Sequence, residues 1–260
     1  MSQKSKSKTK TTDYENGPGG SGDGHHSSDE NRESREGHNS LDVLSVSRGT
    51  TSGITKVDME LLVDYLSRCI NSDGTISFEY YIKMFWEMNR FFELLGTVFQ
   101  FVSKDVVAKL LILEDYQKSK HASHYVTIDS MINYERKKNL LRKTTPPLSG
   151  SRTLLRLHRA LEFIIVFLTK ANSAKEDEKM CPHAQEAYNN TLAAFHPWLI
   201  KKAANVAMYT LPYKKDLMEQ TCKQTKEKLT SLVAEVVDKS RKVYNVVQSL
   251  YVKHVILDLP

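Results

Sequence analysis

Apolar residues recur every three or four positions along most of the chain from residue 56 onward, as they do on the buried face of an α-helix. Polar stretches interrupt this spacing, for example NSDG at 71–74 and RKTTPP at 142–147. No segment predicts a convincing strand. The pattern therefore predicts an all-α protein with about eight helices around one core.

Several predicted helices carry end signals of the expected chemistry. Ser77 precedes a helical run and is a suitable N-cap, and Gly96 follows that run and is expected to end it. Pro197 is expected at the start of a later helix, because proline fits the first helical turn. After Pro212, residues 214–254 are predicted as one closing helical segment.

The first 52 residues differ from the rest in composition. They are rich in serine, glycine, lysine and acidic residues, and nearly free of aromatic side chains. Such a segment cannot bury enough apolar area to offset the entropy lost on ordering. We expect a disordered N-terminal tail over residues 1–52 and one folded domain over residues 53–260.

The distribution of charge narrows the range of partners. The tail holds seven Lys and Arg against eight Asp and Glu, so the net charge of +6 comes from the folded domain. A basic domain favours an anionic partner, such as nucleic acid, an anionic membrane or a phosphorylated ligand.

No apolar run approaches the ~20 residues of a transmembrane helix, and the N-terminus has no apolar signal-peptide core. Three widely spaced cysteines suit a reducing cytosol.

Enzyme signatures are absent from the sequence. It contains no P-loop, no dinucleotide-binding glycine pattern, no G-x-S-x-G motif and no H-E-x-x-H motif. Cys181 and His183 suggest half a metal site, but no second pair has ligand spacing, so a surface loop is the simpler interpretation. We expect no enzymatic activity and no metal or other cofactor.

The segment SGSRTLLRLHRALEFIIVFL places three arginines on an otherwise apolar helix. Arg152, Arg156 and Arg159 fall at i, i+4 and i+7, within one narrow stripe. The stripe continues with the apolar side chains Phe163, Val166 and Phe167. One interpretation is a solvated face with carboxylate partners. The other is a half-buried stripe that is cationic at one end, which the apolar continuation favours.

Two further stretches combine polar and apolar residues. Asp105 and Lys109 are four residues apart on a predicted helix, either as an ordinary surface ion pair or as part of a site. His196 follows an apolar run, either as a satisfied core or capping histidine or as a ligand contact. The residues after it are an aromatic anchor, aliphatic side chains and cations: Trp198, Leu199, Ile200, Lys201 and Lys202. This mixture indicates either a helix on an anionic membrane surface or a buried Trp beside exposed lysines.

Taken together, these stretches resemble the glycolipid transfer protein superfamily, in the family's order along the chain. They are LGTVFQFVSKDVVAKL, SGSRTLLRLHRAL, AYNNTLAAFHPWLIKKA and KVYNVVQSLY, followed by the ending LDLP. The resemblance covers about residues 56–260. It points to the branch that binds ceramide-1-phosphate, because glycolipid-binding members carry Trp where this chain has Arg156, and Asn where it has Lys109.

The resemblance implies a two-layer, all-α helical sandwich that takes up one sphingolipid and transfers it between membranes. Asp105 would accept hydrogen bonds from the sphingoid amide and hydroxyl, and His196 would donate to the amide carbonyl. The phosphate would be held by Lys109, Arg152 and Arg156. A further family cation in the preceding loop corresponds to Lys143 or Arg142. Candidate pocket-lining residues are Phe163 and Phe167, together with Phe99, Phe101 or Leu110.

The implied setting is the cytosol, with a monomeric protein that contacts membranes transiently and binds no nucleic acid. Trp198, Ile200, Lys201 and Lys202 would dock the pocket mouth on the membrane. Two alternatives stay open. One is a sensor that binds the same lipid without productive transfer, and the other is a basic helical adaptor for an acidic partner or nucleic acid.

Overall fold

The computed structural model describes residues 55–260, so the predicted tail, residues 1–52, lies outside the described part. The described part contains nine α-helices and only isolated β-bridges, with no strand. The helices are α1 (Met59–Cys69), α2 (Phe78–Leu94), α3 (Gln100–Lys118), α4 (Ile128–Lys137), α5 (Gly150–Ser173), α6 (Met180–Asn190), α7 (Trp198–Tyr209), α8 (Lys214–Thr221) and α9 (Lys226–Lys253). The predicted all-α class is confirmed.

The helices pack as the two-layer sandwich that the resemblance implies. Helix α5 is central, because it contacts α3, α4, α6 and α9, while α1 packs against α2 and α9. The apolar spacing explains the packing: α1 buries Met59, Leu62, Leu66 and Cys69, which lie on one helical face. No helix within residues 55–260 has the length and apolar character needed to span a membrane.

The predicted closing helix is interrupted, so residues 55–260 contain nine helices where the sequence predicts about eight. Helix α8 ends at Thr221, and Cys222 has an extended backbone. There the chain pairs with Val57: the Val57 N–H donates to the Thr221 carbonyl at 2.8 Å, and Lys223 N–H donates to the Val57 carbonyl at 2.9 Å. A helix cannot offer these groups to a neighbouring strand-like segment, so the helix breaks and restarts at Lys226.

The helix-end signals are confirmed at the predicted positions. The Ser77 hydroxyl accepts a hydrogen bond from the Tyr80 N–H at the start of α2. Gly96 follows the end of α2 with φ of 84°, in the left-handed region that favours glycine. Pro197 occupies the N-cap of α7, one position earlier than the first helical residue.

A buried carboxylate fixes the start of α5. Glu135, on α4, is fully buried and accepts hydrogen bonds from the backbone N–H groups of Gly150 at 2.6 Å and Ser151 at 2.9 Å. The Tyr125 hydroxyl donates to the same carboxylate at 3.1 Å. These bonds satisfy orphan donors at a helix N-terminus, where a negative charge is also favoured by the helix dipole. Glu135 therefore fixes the position of α5 relative to α4.

The buried apolar side chains form two clusters. The main core joins α1 to α5 and α9. A smaller cluster joins α6, α7 and α8 with Phe99 and Phe167. The space between the two clusters contains the cavity described below.

We expect Glu135→Gln to lower the free energy of unfolding by about 2–4 kcal/mol, because one acceptor oxygen becomes an N–H₂ group that faces a backbone N–H. Urea denaturation at neutral pH measures the loss. Glu79→Gln is the matched control: Glu79 is exposed and, among residues 55–260, pairs with Lys83 alone, so a loss below about 0.5 kcal/mol is expected. Equal losses in the two variants would contradict the role assigned to Glu135.

Candidate functional site

A cavity of about 580 Å³ lies between the two apolar clusters. Its wall is largely apolar and includes four of the predicted lining residues, Phe99, Phe101, Phe163 and Phe167. The fifth, Leu110, is fully buried in the main core and does not line the cavity. The polar and charged side chains in the wall are Asn89, Asp105, Lys109, Arg156, Arg159, Tyr188 and His196. The cavity thus combines an apolar interior with a charged group of residues from α3, α5 and the segment before α7.

Asp105 and Lys109 form an ion pair in this wall. The Lys109 Nζ lies 2.5 Å from the Asp105 carboxylate, and 12% of the Lys109 side chain is exposed against 70% for Asp105. Burial lowers the pKa of the Lys109 ammonium, although Asp105 partly opposes the effect and nearby Arg156 adds to it. The ion-pair interpretation and the site interpretation of these residues are therefore compatible, since the pair itself lines the cavity.

Arg156 is the exposed cation of the group. It projects from α5 into the cavity wall close enough to Lys109 to depress the pKa of that ammonium. Within residues 55–260, no carboxylate forms an ion pair with Arg156. Lys109 and Arg156 lie close together, and within residues 55–260 Asp105 pairs with Lys109 but not with Arg156, so the site has an excess of positive charge that suits an anion.

His196 is held by a tyrosine. Its Nδ1 lies 2.9 Å from the hydroxyl oxygen of Tyr188, on α6. Burial lowers the pKa of His196, and burial also raises the pKa of Tyr188, so the imidazole is neutral and the hydroxyl protonated at neutral pH. In the tautomer in which Nδ1 accepts from the Tyr188 hydroxyl, the ring proton is on Nε2, which can donate to a bound carbonyl.

Arg152 and Lys143 are not in the cavity wall. The Arg152 Nε donates to a backbone oxygen of Pro260 at 2.7 Å, and its Nη1 donates to the Lys143 carbonyl at 3.4 Å. Pro260 itself lines the cavity. The structure therefore brings together four of the predicted headgroup residues, and it places Arg152 behind Pro260, within reach of the loop that contains Lys143.

The sequence did not indicate the role of the last residues of the chain. Arg159 lines the cavity, donates to the Leu257 carbonyl at 2.7 Å and lies 4.1 Å from the ring centroid of Phe195. Arg142 pairs with Asp258. The arginines of this region thus hold the segment 255–260 beside the cavity through contacts with residues about a hundred positions away, which leave no local pattern in the sequence.

An exposed apolar surface borders the cavity. Trp198 and Leu199 are 67% and 68% exposed, and Ile200 is both exposed and part of the cavity wall. The Lys202 ammonium lies 4.2 Å from the centroid of a Trp198 ring. Phe101 and Phe195 also combine exposure with a place in the wall, and Val206 and Tyr209 extend the exposed surface along α7. Sequence analysis missed Phe195, Val206 and Tyr209, whereas it named Phe101 as a candidate lining residue.

The Cys181 and His183 pair does not develop into a metal centre in the described part of the chain. Cys181 is buried, and His183 lies 3.6 Å from the Glu178 carboxylate. Within residues 55–260, no three His, Cys, Asp or Glu side chains are placed together to hold a metal ion.

The fold and the site define a class of protein, an all-α protein with a cavity whose apolar and charged parts suit an amphiphilic molecule. Its cavity is apolar, its charged residues are gathered in one part of the wall, and its exposed apolar surface adjoins the cavity. Comparison with known proteins identifies the family of this chain.

Residues 76–223 match the glycolipid transfer protein (GLTP) family. A ceramide-1-phosphate transfer protein of Xenopus laevis is 38% identical over 204 residues, which are 77% of this chain and 95% of that protein. The human ceramide-1-phosphate transfer protein in complex with 2:0 ceramide-1-phosphate superposes with a TM-score of 0.74 at 34% identity, covering 79% of this chain and 100% of the human chain. The mouse ceramide-1-phosphate transfer protein in its apo form superposes with a TM-score of 0.74 at 36% identity, covering 78% of this chain and 99% of the mouse chain. The chain belongs to the glycolipid transfer protein family, whose members are transfer proteins and not enzymes.

We expect Arg159→Met to loosen residues 255–260, because methionine keeps much of the apolar stem and removes the donor to the Leu257 carbonyl. Hydrogen exchange of the amides in this segment is expected to become about tenfold faster. Arg142→Met is the control, since the one contact that it breaks within residues 55–260 is an exposed ion pair with Asp258, and a change of about twofold or less is expected there. Unaltered exchange in Arg159→Met would show that the segment is held by other contacts.

Proposed function

We propose that the chain transfers ceramide-1-phosphate between membranes, as a monomer that carries one lipid at a time. The observation that carries this proposal is the pair of cations, Lys109 and Arg156, in the wall of an apolar cavity. A phosphate attached to two hydrocarbon chains matches both parts of that cavity. Relatives with the name ceramide-1-phosphate transfer protein, and the human structure with that lipid bound, support the assignment.

The phosphate is assigned to the cations of α3 and α5. Arg156 offers a planar fork of donors that matches phosphate oxygens, and it stays charged when partly buried. Lys109 adds a compact ammonium. Arg152 is assigned to the same headgroup site, where the phosphate competes with the backbone oxygens of Pro260 and Lys143 for its guanidinium. Lys143 contributes a further positive charge from the neighbouring loop.

The sphingoid backbone is assigned to one acceptor and one donor. The ionised Asp105 carboxylate only accepts hydrogen bonds, so it suits the amide N–H and the hydroxyl of the lipid. His196, with its proton on Nε2, donates to the amide carbonyl. These roles require the amide of a sphingolipid, and they separate ceramide-1-phosphate from phosphatidic acid, which has esters at the corresponding positions.

The cavity lowers the cost of taking a lipid out of a bilayer. Exposing hydrocarbon to water costs about 0.8 kcal/mol per CH₂ group, so a long acyl chain costs on the order of 10 kcal/mol. A protein that covers the chains with the aromatic and aliphatic wall described above removes much of that cost. No bond is made or broken in the process.

Membrane contact is assigned to the start of α7. Trp198 and Ile200 provide apolar side chains, and Lys201 and Lys202 provide positive charge for an anionic lipid surface. We place the protein in the cytosol, with transient binding at membrane surfaces, and we assign the transfer activity to residues 53–260. The tail, residues 1–52, has no part in this assignment.

The two alternatives that the sequence left open receive less support. A basic adaptor for an acidic partner or nucleic acid would spread its cations over exposed faces, whereas Lys109 is nearly buried and lines a cavity. A lipid sensor would use the same cavity, and only a transfer assay separates it from a carrier. Binding of ceramide-1-phosphate without movement between vesicles would favour the sensor.

We expect Arg156→Leu to reduce ceramide-1-phosphate transfer between vesicles by about tenfold or more, since it removes a charged hydrogen-bond donor worth about 1.5–3 kcal/mol. Vesicle-to-vesicle transfer of the fluorescent lipid measures the rate, with galactosylceramide as the neutral comparison lipid. Arg68→Leu is the matched control, because Arg68 is exposed on α1 and pairs with Asp64 away from the cavity. Wild-type transfer of galactosylceramide at the ceramide-1-phosphate rate would refute selection by charge.

We expect the wild-type protein to prefer ceramide-1-phosphate over phosphatidic acid by roughly tenfold or more, because the diacyl lipid leaves the Asp105 carboxylate without its donors. Asp105→Val should lower ceramide-1-phosphate transfer and narrow the preference. Asp115→Val, at an exposed position on the same helix and outside the cavity wall, should change neither. If wild-type protein moved both lipids equally, Asp105 would be only a structural partner of Lys109.

A further inference from the structure

The loop between α4 and α5 presents exposed hydroxyl groups directly after two cations. Thr144 and Thr145 are exposed, and they follow Arg142 and Lys143 in the chain. Two exposed prolines come next, so this part of the loop is free of helix and of strand. An accessible hydroxyl beside basic residues suits an enzyme that recognises its substrate segment by positive charge.

Arg152 points at this loop from the first turn of α5. Its Nη1 donates to the Lys143 carbonyl at 3.4 Å, and its Nε donates to a backbone oxygen of Pro260 at 2.7 Å. The bond to Lys143 is longer than an ordinary N–H···O bond of about 2.7–3.2 Å, so Nη1 is held weakly. Within residues 55–260, no Asp or Glu side chain pairs with Arg152 or Lys143, whereas Arg142 pairs with Asp258. The side of Arg152 that faces the loop therefore suits an additional anion.

A phosphate group on Thr144 can reach Arg152. The carbonyl carbon of Lys143 is bonded to the Thr144 nitrogen, so bond lengths place the Thr144 Cα within about 7 Å of the Arg152 Nη1. A phosphorylated threonine side chain extends about 5 Å from its Cα to the phosphate oxygens, which leaves room for an N–H···O bond of about 3 Å. Because Thr144 is exposed, the added group enters solvent and displaces no packed side chain.

A phosphothreonine has the same chemistry as the headgroup assigned to this site. Each is a phosphate monoester with about two negative charges at neutral pH, and the donor fork of an arginine matches the oxygens of both. A phosphate on the loop is tethered, so it meets Arg152 at an effective concentration in the millimolar range. Arg152 and Lys143, both assigned to the lipid headgroup, are therefore the residues for which a phosphothreonine and the lipid compete.

We propose that Thr144 is a phosphorylation site and that its phosphate binds Arg152 and Lys143 in place of the lipid headgroup, which switches off lipid uptake. A protein kinase transfers the γ-phosphoryl group of ATP. The bond from phosphorus to the Thr144 Oγ forms, the bridging bond from oxygen to the γ-phosphorus breaks, the hydroxyl proton passes to a base of the kinase, and ADP leaves. This inference rests on the proposed function, because it concerns regulation of the headgroup site defined there.

The first experiment tests whether the site is used. Full-length protein is incubated with ATP and, separately, with two purified kinases that require basic residues before the acceptor threonine. Tandem mass spectrometry then maps the phosphate, which is expected on Thr144. If neither kinase modifies Thr144 while both modify a basic control peptide, the site is rejected.

The second experiment measures the consequence of the phosphate. Full-length protein with phosphothreonine incorporated at residue 144 should transfer ceramide-1-phosphate between vesicles about tenfold or more slowly than unmodified protein. Phosphothreonine at residue 230 is the matched control, because Thr230 is exposed on α9 and lies outside the cavity wall, and it should change the rate by less than about twofold. Thr144→Ala should transfer at the wild-type rate and keep that rate after kinase treatment.

The contact with Arg152 has a readout of its own. A free phosphothreonine has a second pKa of about 6, and a hydrogen bond from Arg152 favours the dianion and lowers that pKa. A phosphorus NMR titration of protein phosphorylated at Thr144 should show this lower pKa, and Arg152→Met should return it towards the ordinary value. An equal pKa with and without Arg152 would show that the phosphate does not bind this residue.

The outcomes separate this inference from the proposed function. Undiminished transfer by protein phosphorylated at Thr144 would overturn the regulatory site and leave ceramide-1-phosphate transfer in place. If unmodified protein transferred no ceramide-1-phosphate, the proposed function would fail, and the phosphorus titration would still decide whether a phosphate on the loop binds Arg152.

Discussion

The attachment of the Glu135 carboxylate to the start of α5 is the interaction on which the candidate site depends. Helix α5 contacts four other helices and carries Arg152, Arg156 and Arg159 within its first three turns. Because a buried carboxylate accepts bonds from two consecutive backbone N–H groups, the helix can neither slide along its axis nor rotate without losing both. One anchor in the interior therefore sets the level and the direction of every cation on this helix, including those that face the cavity.

Most of the fold was predictable because helix formation depends on local spacing. Apolar residues at intervals of three and four gave the positions of α1 to α7, and Ser77 and Gly96 marked the ends of α2 through their own chemistry. The break at Cys222 was not predictable in the same way. It depends on hydrogen bonds with Val57, which lies far earlier in the chain, and the residues around Cys222 retain a helical pattern. A tertiary contact overrides local preference there.

In the candidate site, too, the features set by local spacing were predictable and those set by long-range contacts were not. Asp105 and Lys109 lie next to each other because they are four residues apart on one helix, and the structure places both in the cavity wall. The acceptors of Arg152 and Arg159 could not be foreseen, because they are backbone oxygens 108 and 98 positions away. Backbone atoms leave no residue type to recognise in a sequence. Family resemblance suggested that Arg152 is a headgroup residue, but it could not reveal that Pro260 lies against it.

The separation of the core into two clusters has a thermodynamic consequence. The space between them is interior volume that no side chain fills, whereas folded proteins otherwise pack as densely as organic crystals. A hydrocarbon chain in this space acts as a removable part of the core. Any molecule that binds only the folded chain stabilises it by RT ln(1 + [L]/Kd). Folding and binding are therefore linked equilibria, and the fraction of protein that stays folded rises with the concentration of any molecule that occupies this space.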